Sequence, residues 1–445
     1  MKQNIKSIGI AIAAFSLTLP CAAQERWDLE KCISYAVSHN LTVKQREAAR
    51  DKSAIDLNTA KWSRLPDLNG NASHSFNFGR SLQANNTYQS INTQSTGFSV
   101  STSIPLFTGL QIPNTIALSK LNLMAAVEDL NKAKEDISIQ VASAYLQVLF
   151  NQELAKVAED QVSLSKDMLV QKEAFFKNGK ASESEWMEAK ARVAQDQLSA
   201  VQAGNNLSMA LLDLSQLLEL PSPDNFDIEA PEVKMDQLEK ELTSPADIYN
   251  QAVLTKPAVM AAMYRPLQGA AKSIKIAQSA WYPQLSLGAG LSTNYYKVSG
   301  RENAQFRTQL RDNFSQYVGV SLSVPIFNRL STRNRVRSAR LDQTTLSWQL
   351  EETKKSLYKE IQQAYYNAVN SKTQYYSSET ANEAAESSFQ LMKEKYVNGK
   401  ANATEYNEAR TNWMKALSDC IQAKYEYLFR TKILDFYKGI PLTLE

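Results

Sequence analysis

Phe176-Lys177-Asn178-Gly179-Lys180-Ala181 recurs 220 residues later as Tyr396-Val397-Asn398-Gly399-Lys400-Ala401. The same offset carries Ile104-Pro105-Leu106-Phe107 onto Val324-Pro325-Ile326-Phe327 and Ala144-Tyr145 onto Ala364-Tyr365. It also carries Glu185, Glu188 and Ala189 onto Glu405, Glu408 and Ala409. Upstream the offset falls to 217, where Pro66-Asp67-Leu68 answers Pro283-Gln284-Leu285, so the length difference lies between Pro66 and Pro105. Agreement at one fixed offset predicts two tandem copies of a single structural unit, 24–245 and 246–445.

Each Asn-Gly closes a stretch almost free of breakers. Between Gln111 and Leu220 these are Pro113, Gly179 and Gly204, and between Ser331 and Lys438 Gly399 stands alone. The pattern predicts long helices over about 114–177 and 331–397, each about 100 Å at about 1.5 Å per residue. Glycine tolerates the left-handed conformation that ends a helix, so turns at 178–180 and 398–400 reverse the chain. Return helices at about 182–218 and 402–437 reach half as far, as do helices at about 28–63 and 246–280, so a stack of two matches one rod. Ile137, Val141, Ala144 and Val148, with Leu357, Ile361, Ala364 and Ala368, repeat at 4-3-4 spacing and predict a narrow coiled-coil seam. The Pro-rich segment 219–245 reads as the linker that joins such a stack.

Between half-helix and rod the period changes to two, predicting strands at about 68–78, 96–105, 285–296 and 316–325. In the second copy Leu285, Leu287, Ala289 and Leu291 alternate with Ser286, Gly288, Gly290 and Ser292. A small polar face and an apolar face suit a water-filled barrel in lipid, and Trp281, Tyr282, Tyr295, Tyr296 and Tyr317 stand near strand ends as interfacial aromatics do. A soluble β-sandwich shows the same alternation but leaves the rods without a purpose. Four strands cannot close a barrel and open edges are not tolerated in lipid, so the barrel must be oligomeric. Twelve strands from three chains leave a lumen where eight do not. The polar loops 79–95 and 297–314 then face outside.

The 445 residues carry 43% hydrophobic residues and a formal net charge of +3, which gives no reason to expect a nucleic-acid partner. Residues 1–23 read as a secretory signal peptide, with Lys2 and Lys6 before an apolar run from Ile8 to Leu19 that is too short to span a bilayer. A lipid anchor at Cys21 is the alternative, with Pro20 a poor fit. Cys32 and Cys420 either pair or stay as thiols, and with His39 and His74 they are too dispersed for a metal or Cys–His centre. No nucleophile elbow, metal cluster or phosphate loop is present, so neither enzymatic activity nor a cofactor is expected.

Taken together, the leader, the two copies of strand-strand-rod-return, the [IV]-P-[LI]-F strand ends and the aromatic-x-x-Gly turns resemble the TolC family of outer-membrane factors over essentially the whole mature chain. The resemblance implies a mixed α and β fold in which a homotrimer builds a twelve-stranded transmembrane β-barrel, four strands per chain, on a long α-helical coiled-coil barrel. It implies an exit duct of a tripartite efflux pump or type I secretion system, whose partners are a periplasmic adaptor, an inner-membrane transporter and outer-membrane lipid. Asn178, Gly179, Lys180, Asn398, Gly399 and Lys400 fall on the family's periplasmic tips. Glu185, Glu188, Glu405 and Glu408 fall at its acidic entrance, and Tyr396 on an aromatic that holds the entrance shut. The family's best-studied members carry an arginine two residues after the second turn glycine; Ala401 stands there, beside Lys400. The plainer reading makes these glutamates a solvated helix face, with Glu188 and Arg192 an i,i+4 pair. A periplasmic coiled-coil adaptor without a pore also accounts for the rods but leaves the strands unexplained.

Overall fold

The computed structural model describes residues 26–82, 86–222, 226–231 and 242–443, apart from the side chains of 81, 82, 266 and 267. The leader with Cys21, and parts of the 219–245 linker, lie outside the described residues. The chain divides into two compact units, one holding 26–34, 141–222, 226–231 and 443, the other 35–82, 86–140 and 242–442.

Helix α1 (Leu29–His39) and α2 (Leu41–Trp62) replace the continuous helix expected over 28–63. The break falls at Asn40, whose Oδ1 accepts from the Thr42 amide at 2.9 Å and so starts a new helix. Strands β1 (Asn69–Asn77), β2 (Arg80–Leu82), β3 (Tyr88–Ser90) and β4 (Thr93–Thr108) follow, then α3 (Gln111–Lys177), with Pro113 tolerated in its first turn, and α4 (Glu183–Leu217). In the second half come α5 (Pro245–Thr255), α6 (Pro257–Met263), a π-helical turn (Tyr264–Gly269) and α7 (Ala270–Ser279), where one helix was expected over 246–280. Lys256, held extended before Pro257, makes the first interruption, and Pro266, with no N–H to donate, lies in the second. The chain ends with β5 (Gln284–Val298), α8 (Phe306–Asp312), β6 (Ser315–Ser323), α9 (Ser331–Val397) and α10 (Ala403–Tyr437). Among the described residues no helix is long and apolar enough to cross a membrane.

In the first unit the backbone at Trp27 pairs with Asp227 and Glu229 at 3.1 and 3.0 Å, and the buried Tyr145 hydroxyl lies 2.6 Å from the Glu229 carbonyl oxygen. Because these segments cover an extra flank of α3, the helix buries Ala142, Leu146 and Leu149 besides Val141 and Val148. The face there is broad, not the narrow seam expected. Cys32 is a buried thiol, pushed up to about 12 chiefly by burial, and it forms no disulfide with Cys420.

The second unit holds a narrow seam on α9, where Leu350, Leu357, Ile361, Ala364, Ala368 and Tyr375 are buried. Ile248, Ala252 and Val259, from the broken helix α5–α6, pack on its upper part together with Leu434 of α10. Farther along, Tyr375 of α9 clusters with Ala423 and Tyr427 of α10. A half-buried ion pair ties α3 to this stack: Lys256 Nζ lies 3.3 Å from Glu135 Oε1, donates to the Phe436 carbonyl at 3.2 Å and sits 3.8 Å from the Phe436 ring centre. Burial pushes the Glu135 carboxyl up and the Lys256 ammonium down, and the pairing offsets part of each shift.

The same unit carries an antiparallel sheet in the order β1-β4-β5-β6, while β2 and β3 form a separate hairpin. Its register puts Ile104, Leu287 and Val320 in one cross-strand row, Ala72, Phe98 and Thr293 in another, then His74, Thr96 and Tyr295, then Phe76, Gln94 and Lys297. The opposite face carries Ser, Gly and Asn. Tyr317, expected as an interfacial aromatic, is on that polar face over Gly290, where an added Cβ would meet its ring at 2.6 Å. β6 stops at Ser323, so Val324-Pro325 lies outside the strand, whereas β4 runs on through Ile104-Pro105 with a bulge. Beyond Ser292, β5 loses β6 as a neighbour. Gln309 of α8 and Asn303 take the vacated edge, each side-chain amide accepting from the backbone N–H and donating to the carbonyl of a single residue, Tyr296 and Val298 respectively.

Strand and rod meet at a pair of left-handed residues in both halves, Gly109-Leu110 and Arg329-Leu330. Any Cβ at Gly109 would stand 2.5 Å from the Ser279 carbonyl oxygen, a backbone atom that cannot swing aside. Gly109→Ala is therefore expected to destabilise the protein by about 2 kcal/mol or more, whereas Arg329→Gly relieves strain and stabilises it by up to about 1 kcal/mol. Apparent unfolding midpoints of the detergent-solubilised protein should move in opposite directions.

Candidate functional site

The two hairpin tips are built alike. In the first, the Asn178, Gly179 and Lys180 amides donate to the carbonyls of Ala174, Phe176 and Phe175 at 3.2, 3.0 and 2.8 Å, with Gly179 at φ +69°. In the second, those of Asn398, Gly399 and Lys400 donate to Glu394, Tyr396 and Lys395 at 3.1, 3.1 and 2.8 Å, with Gly399 again at φ +69°. These bonds satisfy the last carbonyls of the rods, and the left-handed residue closing each is glycine for steric reasons. Each asparagine adds a side-chain bond to the same helical turn, to Ala174 at 2.7 Å and Glu394 at 2.9 Å.

A residue ten positions beyond each turn aromatic packs back on it. Phe176 stacks on Trp186 at 5.3 Å, and Tyr396 on Tyr406 at 4.8 Å. In the second tip the stack continues through Phe389 to Trp413, at 5.6 and 4.9 Å. Tyr396 is thus held within its own hairpin. The recurrence of aromatics at 186 and 406 was legible in the sequence and was missed.

The four glutamates divide into two kinds. Glu185 accepts a charged hydrogen bond from Lys172 at 2.7 Å across the first hairpin, and this bond holds its carboxyl below the usual carboxylate range. Glu405 completes a capping box: its carboxylate accepts from the Asn402 amide at 3.0 Å while the Asn402 side chain accepts from the Glu405 amide at 2.9 Å. Glu188 and Glu408, one helical turn on, are exposed. Arg192 faces the buried Asp196 at 3.3 Å, one turn farther from the tip. Lys172 and Asp196 were not singled out from the sequence, since nothing in their spacing separates them from other solvated charges. Among the described residues no group of three or more His, Cys, Asp or Glu could hold a metal ion.

Comparison with known proteins fits this architecture. The family profile described as outer membrane efflux protein matches residues 32–219 and again 248–436. The chain belongs to the outer membrane efflux protein family. It is a protein of the outer membrane with its tunnel part extending into the periplasm. Outer membrane protein TolC of Escherichia coli K12 is 24% identical over 428 residues, 95% of this chain and 83% of that protein. Alkaline protease secretion protein AprF of Pseudomonas aeruginosa is 21% identical over 315 residues, 70% of this chain and 63% of that protein. The crystal structure of CusC, a protein described as undergoing conformational changes on folding and transmembrane channel formation, shares the fold with a TM-score of 0.76 at 17% identity, over 93% of this chain and 92% of that one.

The Lys172–Glu185 pair has a defined pH sense. A carboxyl whose folded value is depressed contributes stability above its ordinary value, near 4.5 here, and loses it as pH falls through the lowered one. Glu185→Gln is expected to cost about 0.2–1 kcal/mol, since the pair is partly exposed. Limited proteolysis at the first tip should quicken in this variant at neutral pH and in the wild type only under acid.

Proposed function

We propose that the chain is one third of a homotrimeric exit duct that passively conducts substrates from the periplasm and an inner-membrane pump to the exterior, with no chemistry of its own. The observation that carries this reading is the four-stranded sheet, whose two edge strands β1 and β6 are exposed at every position. Its strands alternate in direction, so β6 of one copy runs antiparallel to β1 of the next, and three sheets continue into one twelve-stranded wall. The apolar rows then face lipid and the Ser, Gly and Asn face lines water.

In this reading the two halves are tandem repeats and their tips, Asn178-Gly179-Lys180 and Asn398-Gly399-Lys400, meet a periplasmic adaptor that links the duct to its inner-membrane transporter. Glu188 and Glu408 form the acidic rings of the entrance, because Glu185 and Glu405 already serve an ion pair and a helix cap. Membership of the outer membrane efflux protein family supports an efflux route, and likeness to alkaline protease secretion protein AprF a secretion route.

Planar-bilayer recording of the purified oligomer tests the assignment. Glu188→Gln with Glu408→Gln should lower the preference for cations over anions several-fold, while Glu405→Gln should loosen the tip and leave selectivity near the wild-type value. A protein that leaves the membrane fraction without detergent, as a pore-free adaptor would, contradicts the duct.

A further inference from the structure

The apolar rows of the sheet end abruptly. From Leu285 to Tyr295 is about 33 Å along the strand, or about 25 Å at a barrel tilt near 40°, which matches the lipid band of such barrels. The row His74, Thr96 and Tyr295 therefore stands at the outer interface, and the next, Phe76, Gln94 and Lys297, just above it on the lipid-facing side. Lys297 is exposed and shares that side with Tyr295, against which Phe306 packs edge-on at 5.0 Å. Phe306 begins α8, whose next residue, Arg307, is also exposed. Arg301 reaches the β2–β3 hairpin through Gln89 at 3.2 Å, and Arg80 of that hairpin lies over Tyr88.

Charge in this rim is one-sided. Residues 78–92 contain Arg80 and no acid, and residues 297–314 contain Lys297, Arg301, Arg307 and Arg311 against Glu302 and Asp312. Asp312 is already engaged by Arg311 at 2.8 Å. A positive collar above Tyr295, with Lys297 on the face turned to lipid, is matched by the phosphates of lipid headgroups.

We propose that Lys297, Arg301 and Arg307 form a binding surface for the phosphate groups of phosphorylated glycolipid in the outer leaflet. The inference rests on reading the sheet as a barrel wall. Its partner is a lipid and not a soluble anion, because Lys297 and the Phe306–Tyr295 contact place the charges beside the apolar rows.

The full-length oligomer, wild type and Lys297→Gln/Arg301→Gln/Arg307→Gln, is reconstituted into phosphatidylcholine nanodiscs containing either bisphosphorylated lipid A or the same lipid with its phosphates removed. Protein-bound glycolipid is counted by native mass spectrometry. Wild type should retain the phosphorylated form over the dephosphorylated one by about ten-fold or more, and the triple variant should lose that preference. Arg311→Gln, whose charge is taken by Asp312, should stay within about two-fold of wild type. Equal retention of both lipids by the wild type, an unchanged preference in the triple variant, or complete release by inorganic phosphate in the millimolar range overturns the proposal while leaving the barrel intact. Failure of the wild type to enter the bilayer overturns the barrel reading and this surface with it.

Discussion

Backbone amides and carbonyls in hydrocarbon must find partners, and no side chain can excuse them. That constraint governs the sheet. β4 and β5 are paired on both sides over most of their length, whereas β1 and β6 each offer one unpaired edge. A soluble protein would blunt such edges with charge, proline or a short strand. Here both edge strands are nine residues long and carry no Lys, Arg, Asp, Glu or Pro, which is what the proposed continuation into neighbouring copies requires. The exception supports the rule: where β5 outruns β6, the amides of Gln309 and Asn303 occupy its edge as substitutes for a strand.

At the tips one backbone solution serves two side-chain designs. The turn geometry is nearly identical because few ways exist to satisfy the last carbonyls of a helix and reverse the chain within four residues. What differs is the service asked of the first glutamate in the return helix. Ser182 caps α4 through the Glu185 amide while the Glu185 carboxylate accepts from Lys172, whereas Asn402 and Glu405 cap each other, the Glu405 carboxylate accepting from the Asn402 amide. The absence of an arginine at Ala401 is then consistent with a second tip held by stacked rings, from Tyr396 through Tyr406 and Phe389 to Trp413.

Much of the architecture was legible because it rests on period and on breakers. The C-terminal end of α9 and the glycine turns are set by residues whose conformational preferences are distinctive, and these read directly from sequence. The interruptions at Asn40, Lys256 and the π turn were not, since a cap or a lone proline competes with helix propensity only by about 1–3 kcal/mol and tertiary packing decides the outcome. Tyr317 misled for another reason. Proximity to a strand end does not say which face a side chain takes, and its register opposite Gly290 does. Lys172 and Lys256 were unreadable because a surface lysine and a clamped one look the same until the partner strand or helix is placed.

The Lys256–Glu135 pair shows why a broken helix is kept beside an unbroken one. An α-helix as long as α9 must be matched along its length, and α5 and α10 do so from opposite ends, packing Ile248, Ala252 and Leu434 on one stretch of the rod. Where two elements meet end to end, terminal carbonyls face each other with no continuing chain to satisfy them. Lys256 reaches this place because Pro257 interrupts the helix there, and its ammonium serves the Phe436 carbonyl while Glu135 balances its charge. An apolar residue at 256 would fill the space but leave the Glu135 carboxylate half-buried and unpaired, the more costly of the two errors. The interruption in the helix is therefore what allows the join to be satisfied electrostatically.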